Sequence, residues 1–319
     1  MHWITENNYA QVMKNEVEPY LDARKSAGFD VRVKGEPIYY EHFRADQPKG
    51  VIVISHGFTE SVQKFSESIY YMLQAGYDVW GLDHRGHGYS FRENDNPYVV
   101  HVDQFRDYVL DLRHLTQKLV RPEAGKLPAY LYAHSMGGCI GAWTIEKYPH
   151  LYDKAVLTSP MLGLSFGPIP VPVVYMGAAV KSLGGKRNEP ASPVTEFAPE
   201  NFEKSCDSSE VRYHYYYQKR LANPKLQTTS ASLGWGMEAV KACSRVTSGR
   251  RTSRIKIPVL LCQAGNDTVV KNASQHEFAA KVKNCEFYFV PNMKHELYMT
   301  DSDILSQYWE RIFAFLDEK

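Results

Sequence analysis

The sequence predicts an α/β protein: an eight-stranded, mostly parallel, doubly wound sheet with a helical cap inserted over the carboxyl edge of its strands. Three observations lead there. Short β-branched or aromatic runs alternate with segments of helical composition, the pattern of parallel strands joined by crossover helices. The alternation fails once, between Pro160 and Ile257, an interval too long for one crossover and rich in proline and glycine. Finally, Ala129-Tyr130-Leu131-Tyr132 runs into Ala133-His134-Ser135-Met136-Gly137-Gly138, a strand, a sharp turn and a helix, with small residues where a larger side chain would crowd the turn.

Element by element, residues 5–24 read as an amino-terminal helix, and Asp30-Val31-Arg32-Val33 with Pro37-Ile38-Tyr39-Tyr40-Glu41-His42-Phe43 as an opening hairpin of edge strands. Six further strands are expected at 51–55, 77–82, 129–133, 155–159, 258–262 and 286–290, with helices near 64–75, 102–120, 135–148, 272–283 and 302–317. Inside the insertion, residues 209–223 and 236–243 are helix-compatible. The domain reading is therefore 1–160 for the first part of the core, 161–256 for the cap and 257–319 for the second part of the core. Residues 155–180 carry no formal charge and have the length of a membrane span, but Pro160, Pro168, Pro170 and Pro172 would interrupt such a helix repeatedly. Their first six residues read instead as a core strand and its exit.

Composition excludes several classes. At 319 residues, 44% hydrophobic and 23% charged, the chain is globular, and a net charge of +1 gives no general attraction for nucleic acid or anionic surfaces. The five cysteines, at 139, 206, 243, 262 and 285, form no C-x-x-C pair and suggest neither a disulfide framework nor a zinc knuckle. Met1-His2-Trp3-Ile4-Thr5-Glu6-Asn7-Asn8 has neither the basic nor the apolar region of a secretory peptide. Free thiols and a cytoplasmic location follow as expectations, a peripheral position at a membrane remaining open. No metal or cofactor is expected. His84 and His87 have a ligand-like spacing, but they lie in a glycine-broken turn where the rings need not face each other. Arg250-Arg251-Thr252-Ser253-Arg254 reads as a solvated charged face, and most of Tyr213, Tyr215, Tyr216 and Tyr217 as packing within the cap.

A serine hydroxyl becomes a nucleophile when it is held beside a base, the base is oriented by an acid, and donors await the oxyanion. Ser135 in its sharp turn is the candidate nucleophile. Glu286-Phe287-Tyr288-Phe289-Val290 opens into a loop with His295, the candidate base, just past the last strand. Pro258-Val259-Leu260-Leu261-Cys262 leads to a turn with Asp267, the candidate acid, for which Asp301 and Asp303 are rivals at the start of the last helix. Val51-Ile52-Val53-Ile54 leads into Ser55-His56-Gly57-Phe58, a loop that can offer a backbone N–H. Glu296, next to the base in sequence, is expected to point elsewhere.

From about Ile38 to its end the chain resembles the α/β-hydrolases, and within them the bacterial lysophospholipase and monoacylglycerol lipase branch. The resemblance is carried by Ser-His-Gly-Phe at 55–58, Asp-His-Arg-Gly-His-Gly-Tyr-Ser at 83–90, the run from His101 to Tyr108, Ala-His-Ser-Met-Gly-Gly at 133–138, Leu157-Thr158-Ser159-Pro160-Met161, and the Asp267 and His295 turns. It implies a serine esterase in which Ser135 attacks, His295 moves the proton, Asp267 holds the imidazole, and the backbone N–H groups of Phe58 and Met136 receive the oxyanion. It also implies that Glu60 and Lys64 bound the alcohol end of the pocket, where monoacylglycerol lipases read Glu-His-Ser-Gly-Arg-Tyr and this chain reads Glu60-Ser61-Val62-Gln63-Lys64-Phe65. The expected substrate is a monoacyl lipid ester, its acyl chain sheltered by residues 162–180, with transient membrane contact through the cap. The alternatives are a carboxylesterase, thioesterase or peptidase acting on a small substrate, or a non-catalytic binding protein on the same fold. The second of these is opposed by the complete Ser, His and Asp set.

Overall fold

The computed structural model describes residues 1–194, 197 and 202–318. Its main sheet has eight strands: β1 (Lys25–Val33), β2 (Glu36–Phe43), β3 (Gly50–Ser55), β4 (Tyr77–Leu82), β5 (Ala129–His134), β6 (Lys154–Thr158), β7 (Val259–Ala264) and β8 (Cys285–Val290). They lie side by side in the order β1-β2-β4-β3-β5-β6-β7-β8. The pairs β1/β2 and β2/β4 are antiparallel and every other pair is parallel. Every residue of β3, β5 and β7 is buried, which is why these strands read as continuous apolar runs: helices cover both faces. One expectation is corrected. Only β1 of the opening hairpin is an edge strand, because β2 lies between β1 and β4 and pairs with both.

Among the described residues, five helices of eight or more residues lie in the parts of the chain that carry the sheet strands and three lie between β6 and β7, beside shorter helical segments such as Tyr9–Val12, Glu18–Asp22 and Gly249–Thr252. In chain order the longer ones are α1 (Ser66–Gln74), α2 (Arg106–Leu115), α3 (Met136–Lys147), then α4 (Val171–Lys181), α5 (Glu210–Ala222) and α6 (Leu233–Val246) in the insertion, then α7 (Asn272–Lys281) and α8 (Ser302–Asp317). Residues 155–180 form no single helix, as expected from their prolines, yet the last part of the stretch is helical. Pro172 occupies the first turn of α4, where its missing N–H has no intrahelical partner to lose, and Pro168 and Pro170 precede the helix. Residues 162–180, the expected acyl shelter, differ in burial along their length. Leu162 is buried, but α4 has no buried residue, and Val173, Met176 and Val180 are 58%, 66% and 66% exposed. No helix among the described residues is long and apolar enough to cross a membrane.

The insertion is fastened to the core at points the sequence did not announce. Val99–Val100 and Ser230–Ala231 pair as a two-residue parallel ribbon. Arg212, on α5, is fully buried and donates to both carboxylate oxygens of Glu67 on α1 at 2.9 Å, to Glu6 at 2.5 Å, to the Ile4 carbonyl at 3.0 Å and to Ser302 Oγ at 3.3 Å. The arginine run at 250–254 is not wholly solvated either. Arg251 and Arg254 join Arg245 on the buried carboxylate of Glu146. Tyr213, Tyr216 and Tyr217 are buried as expected of cap packing, and Tyr215 is half-buried.

Candidate active site

β5 ends at His134 and α3 begins at Met136, so a single residue must reverse the chain from strand to helix. That residue is Ser135, at φ 51° and ψ −116°, a left-handed backbone that a non-glycine residue holds only when its surroundings impose it, at a cost of about 1–3 kcal/mol. Those surroundings are specific. The Ser135 N–H donates to the Thr158 carbonyl at the end of β6 (3.1 Å), and its own carbonyl accepts from the Met161 N–H (2.8 Å). A Cβ at Gly137 would collide with the Ser55 carbonyl oxygen at the end of β3, so α3 can start this close to the sheet only with glycine there.

The loop after β8 brings His295 to this turn. Its Nε2 lies 2.8 Å from Ser135 Oγ, and its Nδ1 lies 2.6 Å from Asp267 Oδ2. The Asp267 side chain is fully buried, and its other oxygen accepts the N–H groups of Val269 (2.8 Å) and Val270 (3.1 Å). With Nδ1–H donating to Asp267, Nε2 is the acceptor that faces the serine hydroxyl. Asp301 and Asp303 stand exposed at the start of α8, away from this relay.

Phe58 and Met136 supply the two amides expected to meet an oxyanion. Met136 is the first residue of α3, so its N–H is among those that a helix leaves without an internal partner, at the positive end of the dipole. Phe58 packs its ring on Trp235 of α6, with centroids 4.2 Å apart, and precedes Thr59, which has φ 60°. The loop that carries Phe58 is braced by hydrogen bonds of two buried histidines, and the ring of a third, His87, packs edge-on against Phe58. His84 Nε2 meets Ser55 Oγ at 2.9 Å, the His84 N–H donates to His56 Nε2 at 2.9 Å, and His56 Nδ1 donates to the Gly57 carbonyl at 2.7 Å. Burial pulls the His56 imidazole down to about 4 and holds His84 and His87 well below the usual imidazole range. These rings are therefore neutral hydrogen-bonding struts. His84 and His87 each bond to the backbone or to Ser55 rather than converging on a shared centre.

Glu60 and Lys64 are not solvated. The Lys64 ammonium, its side chain 8% exposed, contacts the carboxylates of Glu60 (3.3 Å), Glu296 and Asp207 (3.9 Å). Glu296 does point away from the relay, into this cluster. The cluster floors a cleft of about 590 Å³ that Tyr213, Tyr216, Tyr217, Lys204 and Arg220 also line. Sequence reasoning missed Asp207 and His134 as members, and only the position of His134 beside Ser135 could have hinted at either. Among the described residues, two groups bring together side chains of the kind that can ligate a metal. In the first, Glu60, His134 and Glu296, the Lys64 ammonium already occupies the space between the carboxylates. In the second, Glu93, His101 and Asp103, the Arg85 guanidinium sits 2.7 Å from Glu93 and would repel a dication.

Residues 46–303, more than half of the chain, match the family described as "Serine aminopeptidase, S33". The chain belongs to this α/β-hydrolase family. Among curated relatives, this hydrolase is 29% identical over 282 residues to lysophospholipase L2 of Escherichia coli K12, covering 86% of this chain and 81% of the relative. It is 27% identical over 273 residues to monoacylglycerol lipase of Mycolicibacterium smegmatis, covering 83% and 88%. Its fold superposes on a monoglyceride lipase from Saccharomyces cerevisiae with a TM-score of 0.73 at 15% identity, covering 92% and 95% of the two chains. A thermostable carboxyl esterase from Bacillus coagulans gives 0.74 at 17% identity, covering 92% and 98%. At such identities the structural likeness speaks for the hydrolase fold alone.

Proposed function

We propose that this chain is a serine hydrolase that cleaves the carboxylic ester of a monoacyl lipid, a lysophospholipid or a monoacylglycerol, through an acyl-enzyme on Ser135. The observation that carries the reading is the relay from Asp267 through His295 to Ser135 at 2.6 and 2.8 Å, in a chain whose relatives bear the names lysophospholipase and monoacylglycerol lipase. Nε2 of His295 takes the hydroxyl proton as Ser135 Oγ attacks the carbonyl carbon, and the N–H groups of Phe58 and Met136 receive the negative charge that develops on the carbonyl oxygen. Collapse expels the alcohol, which leaves with the proton from Nε2. Water, deprotonated by the same imidazole, then attacks the acyl-serine and releases the fatty acid.

A panel of lysophospholipids, monoacylglycerols, p-nitrophenyl esters and aminoacyl amides tests the substrate class. A buried methylene contributes about 0.8 kcal/mol. For single-chain esters below micelle-forming concentration, kcat/KM is therefore expected to rise by tenfold or more from four to ten carbons. A preference for acetyl or butyryl esters would assign the site to small esters, and a preference for aminoacyl amides would assign it to peptide chemistry.

Contact with a lipid surface is part of the same proposal. The outward side of α4 is apolar at Val173, Met176 and Val180, with Ile169 and Leu183 exposed beside it, and an open groove of about 620 Å³ runs between α4 and α6. Residues 161–256 hold 14 Lys and Arg against 7 Asp and Glu, although the whole chain is only +1. An exposed apolar helix on a basic insertion suits an anionic membrane. All five cysteines are free thiols, in keeping with a cytoplasmic enzyme that meets its substrate at such a surface. Co-sedimentation with phosphatidylglycerol vesicles is expected for the wild type and loss of it for Val173→Ser/Met176→Ser/Val180→Ser. Equal sedimentation of the two proteins would remove α4 from the contact.

A further inference from the structure

The charged cluster beneath the insertion touches all three loops on which the proposed chemistry depends. Lys64 Nζ lies against Glu60, Glu296 and Asp207, whose side chains are 4%, 10% and 8% exposed. Glu60 Oε2 accepts the Gly57 N–H at 2.6 Å, one residue before Phe58. Glu60 Oε1 accepts the Tyr298 hydroxyl at 2.6 Å and lies 3.7 Å from Nε2 of His134, one residue before Ser135. Glu296 is the residue after His295. The cluster is thus one residue removed from an oxyanion donor, the nucleophile and the base.

The fourth member ties the insertion to the same point. Residues 206–209 run along the His295 loop: Cys206 accepts the Glu296 N–H (3.1 Å), Ser208 Oγ accepts the Lys294 N–H (3.0 Å), and the N–H groups of Ser208 and Ser209 donate to Met299 (3.2 and 3.0 Å). Asp207 sits inside that segment. Burial, and then the charge of Glu296, raise its carboxyl well above the usual range, so it is protonated beside Glu296. Burial alone would also raise Glu296, but Lys64 and a hydrogen bond from Asp207 hold it below the usual carboxylate range. Burial opposes the charge on Lys64, yet the surrounding carboxylates keep it firmly protonated.

We propose that Lys64 is a positioning residue: its ammonium holds the oxyanion loop, the serine turn and the His295 loop in one register, and through Asp207 that register requires the insertion to be seated. The inference rests on the roles given above to Phe58, Ser135 and His295. It differs from the contact with the leaving alcohol that the family resemblance implies, because the ammonium already donates to the carboxylates of Glu60 and Glu296, with the Asp207 carboxyl 3.9 Å away.

The two roles separate in kinetics. Lys64→Met is assayed on p-nitrophenyl acetate, whose leaving group is not a lipid alcohol, with active sites counted by fluorophosphonate titration. The expected result is a ten- to hundredfold fall in kcat per titrated site, KM within about twofold of wild type, and a matching fall in the rate of fluorophosphonate inactivation. Lys64→Arg, which keeps the charge, is expected to recover a large part of it. Unchanged kcat on p-nitrophenyl acetate with a raised KM for monoacylglycerol would overturn the proposal in favour of alcohol binding. If Lys64→Met does not fold, Lys64→Met/Glu296→Leu removes the ammonium and one of its carboxylates together. Wild-type kcat in that folded variant would equally overturn it. A wild-type protein that fluorophosphonate does not label would instead sink the serine hydrolase reading on which the inference rests.

Discussion

Ser135→Ala and His295→Ala are each expected to lower turnover of the preferred ester by a thousandfold or more, and Asp267→Asn by up to about four orders of magnitude. The first two remove the nucleophile or the base beside it, His295 Nε2 at 2.8 Å from Ser135 Oγ. The third follows from which oxygen of Asp267 is already committed. Oδ1 accepts from Val269 and Val270, so an asparagine would turn its carbonyl oxygen to those amides and its NH2 group to His295. The imidazole would then have to accept at Nδ1 and carry its proton on Nε2, facing the serine as a donor with no capacity to take a proton. Steady-state rates, with fluorophosphonate labelling mapped to residue 135, check all three. Asp267→Asn with near-native turnover would return the acid's role to Asp301 or Asp303, and labelling at another serine would displace Ser135.

The second large effect concerns stability. Arg212→Met is expected to destabilise the protein by about 3–5 kcal/mol, because it leaves the Glu67 carboxylate, 6% exposed, buried without its cation. At about 2–4 °C per kcal/mol for chains of a few hundred residues, the melting temperature should fall by roughly ten degrees. The methionine fills much of the volume, so lost packing is the smaller part. Arg212→Met/Glu67→Leu should recover some of the loss, though not all, since Tyr9 and Tyr71 also hydrogen-bond to Glu67. Calorimetric melts of the two variants check this, and an Arg212→Met protein that melts within a degree of wild type would contradict it.

What was legible in the sequence is what local chemistry determines. β3, β5 and β7 could be read because strands buried on both faces leave unbroken apolar runs, and the turn at Ser135 because its steric demands fall on immediate neighbours. Asp267 and His295 could be singled out because each follows a strand that the pattern had already located. The misses have physical reasons of their own. α4 was not among the expected helices because its stretch was weighed only as a membrane span, whereas Pro172 is harmless in the first turn of a shorter helix. The ribbon of Val99–Val100 with Ser230–Ala231 is too short to leave any periodicity. The burial of Lys64, Arg212 and Glu146 is decided by partners far away in sequence: Glu296 for Lys64, Glu67 for Arg212, and Arg251 and Arg254 for Glu146. A charged side chain beside an apolar stretch reads as solvated until the fold supplies its counter-charge.

The Arg212 junction has a consequence for the first residues of the chain. Ile4 donates its N–H to Tyr71 and offers its carbonyl to Arg212, while Glu6 accepts from Arg212 and from the Ser302 N–H. Residues 4–6 therefore act on the insertion, some two hundred positions away, as a tethered ligand. The residues that follow, with Tyr9, Val12, Met13, Val17 and Leu21 buried in the core, hold that ligand beside its site. A cut between Glu6 and Tyr9 would leave every contact chemically possible and yet make their formation bimolecular, so that occupancy falls on dilution. Occupancy of this junction thus depends on chain continuity as well as on the contacts themselves.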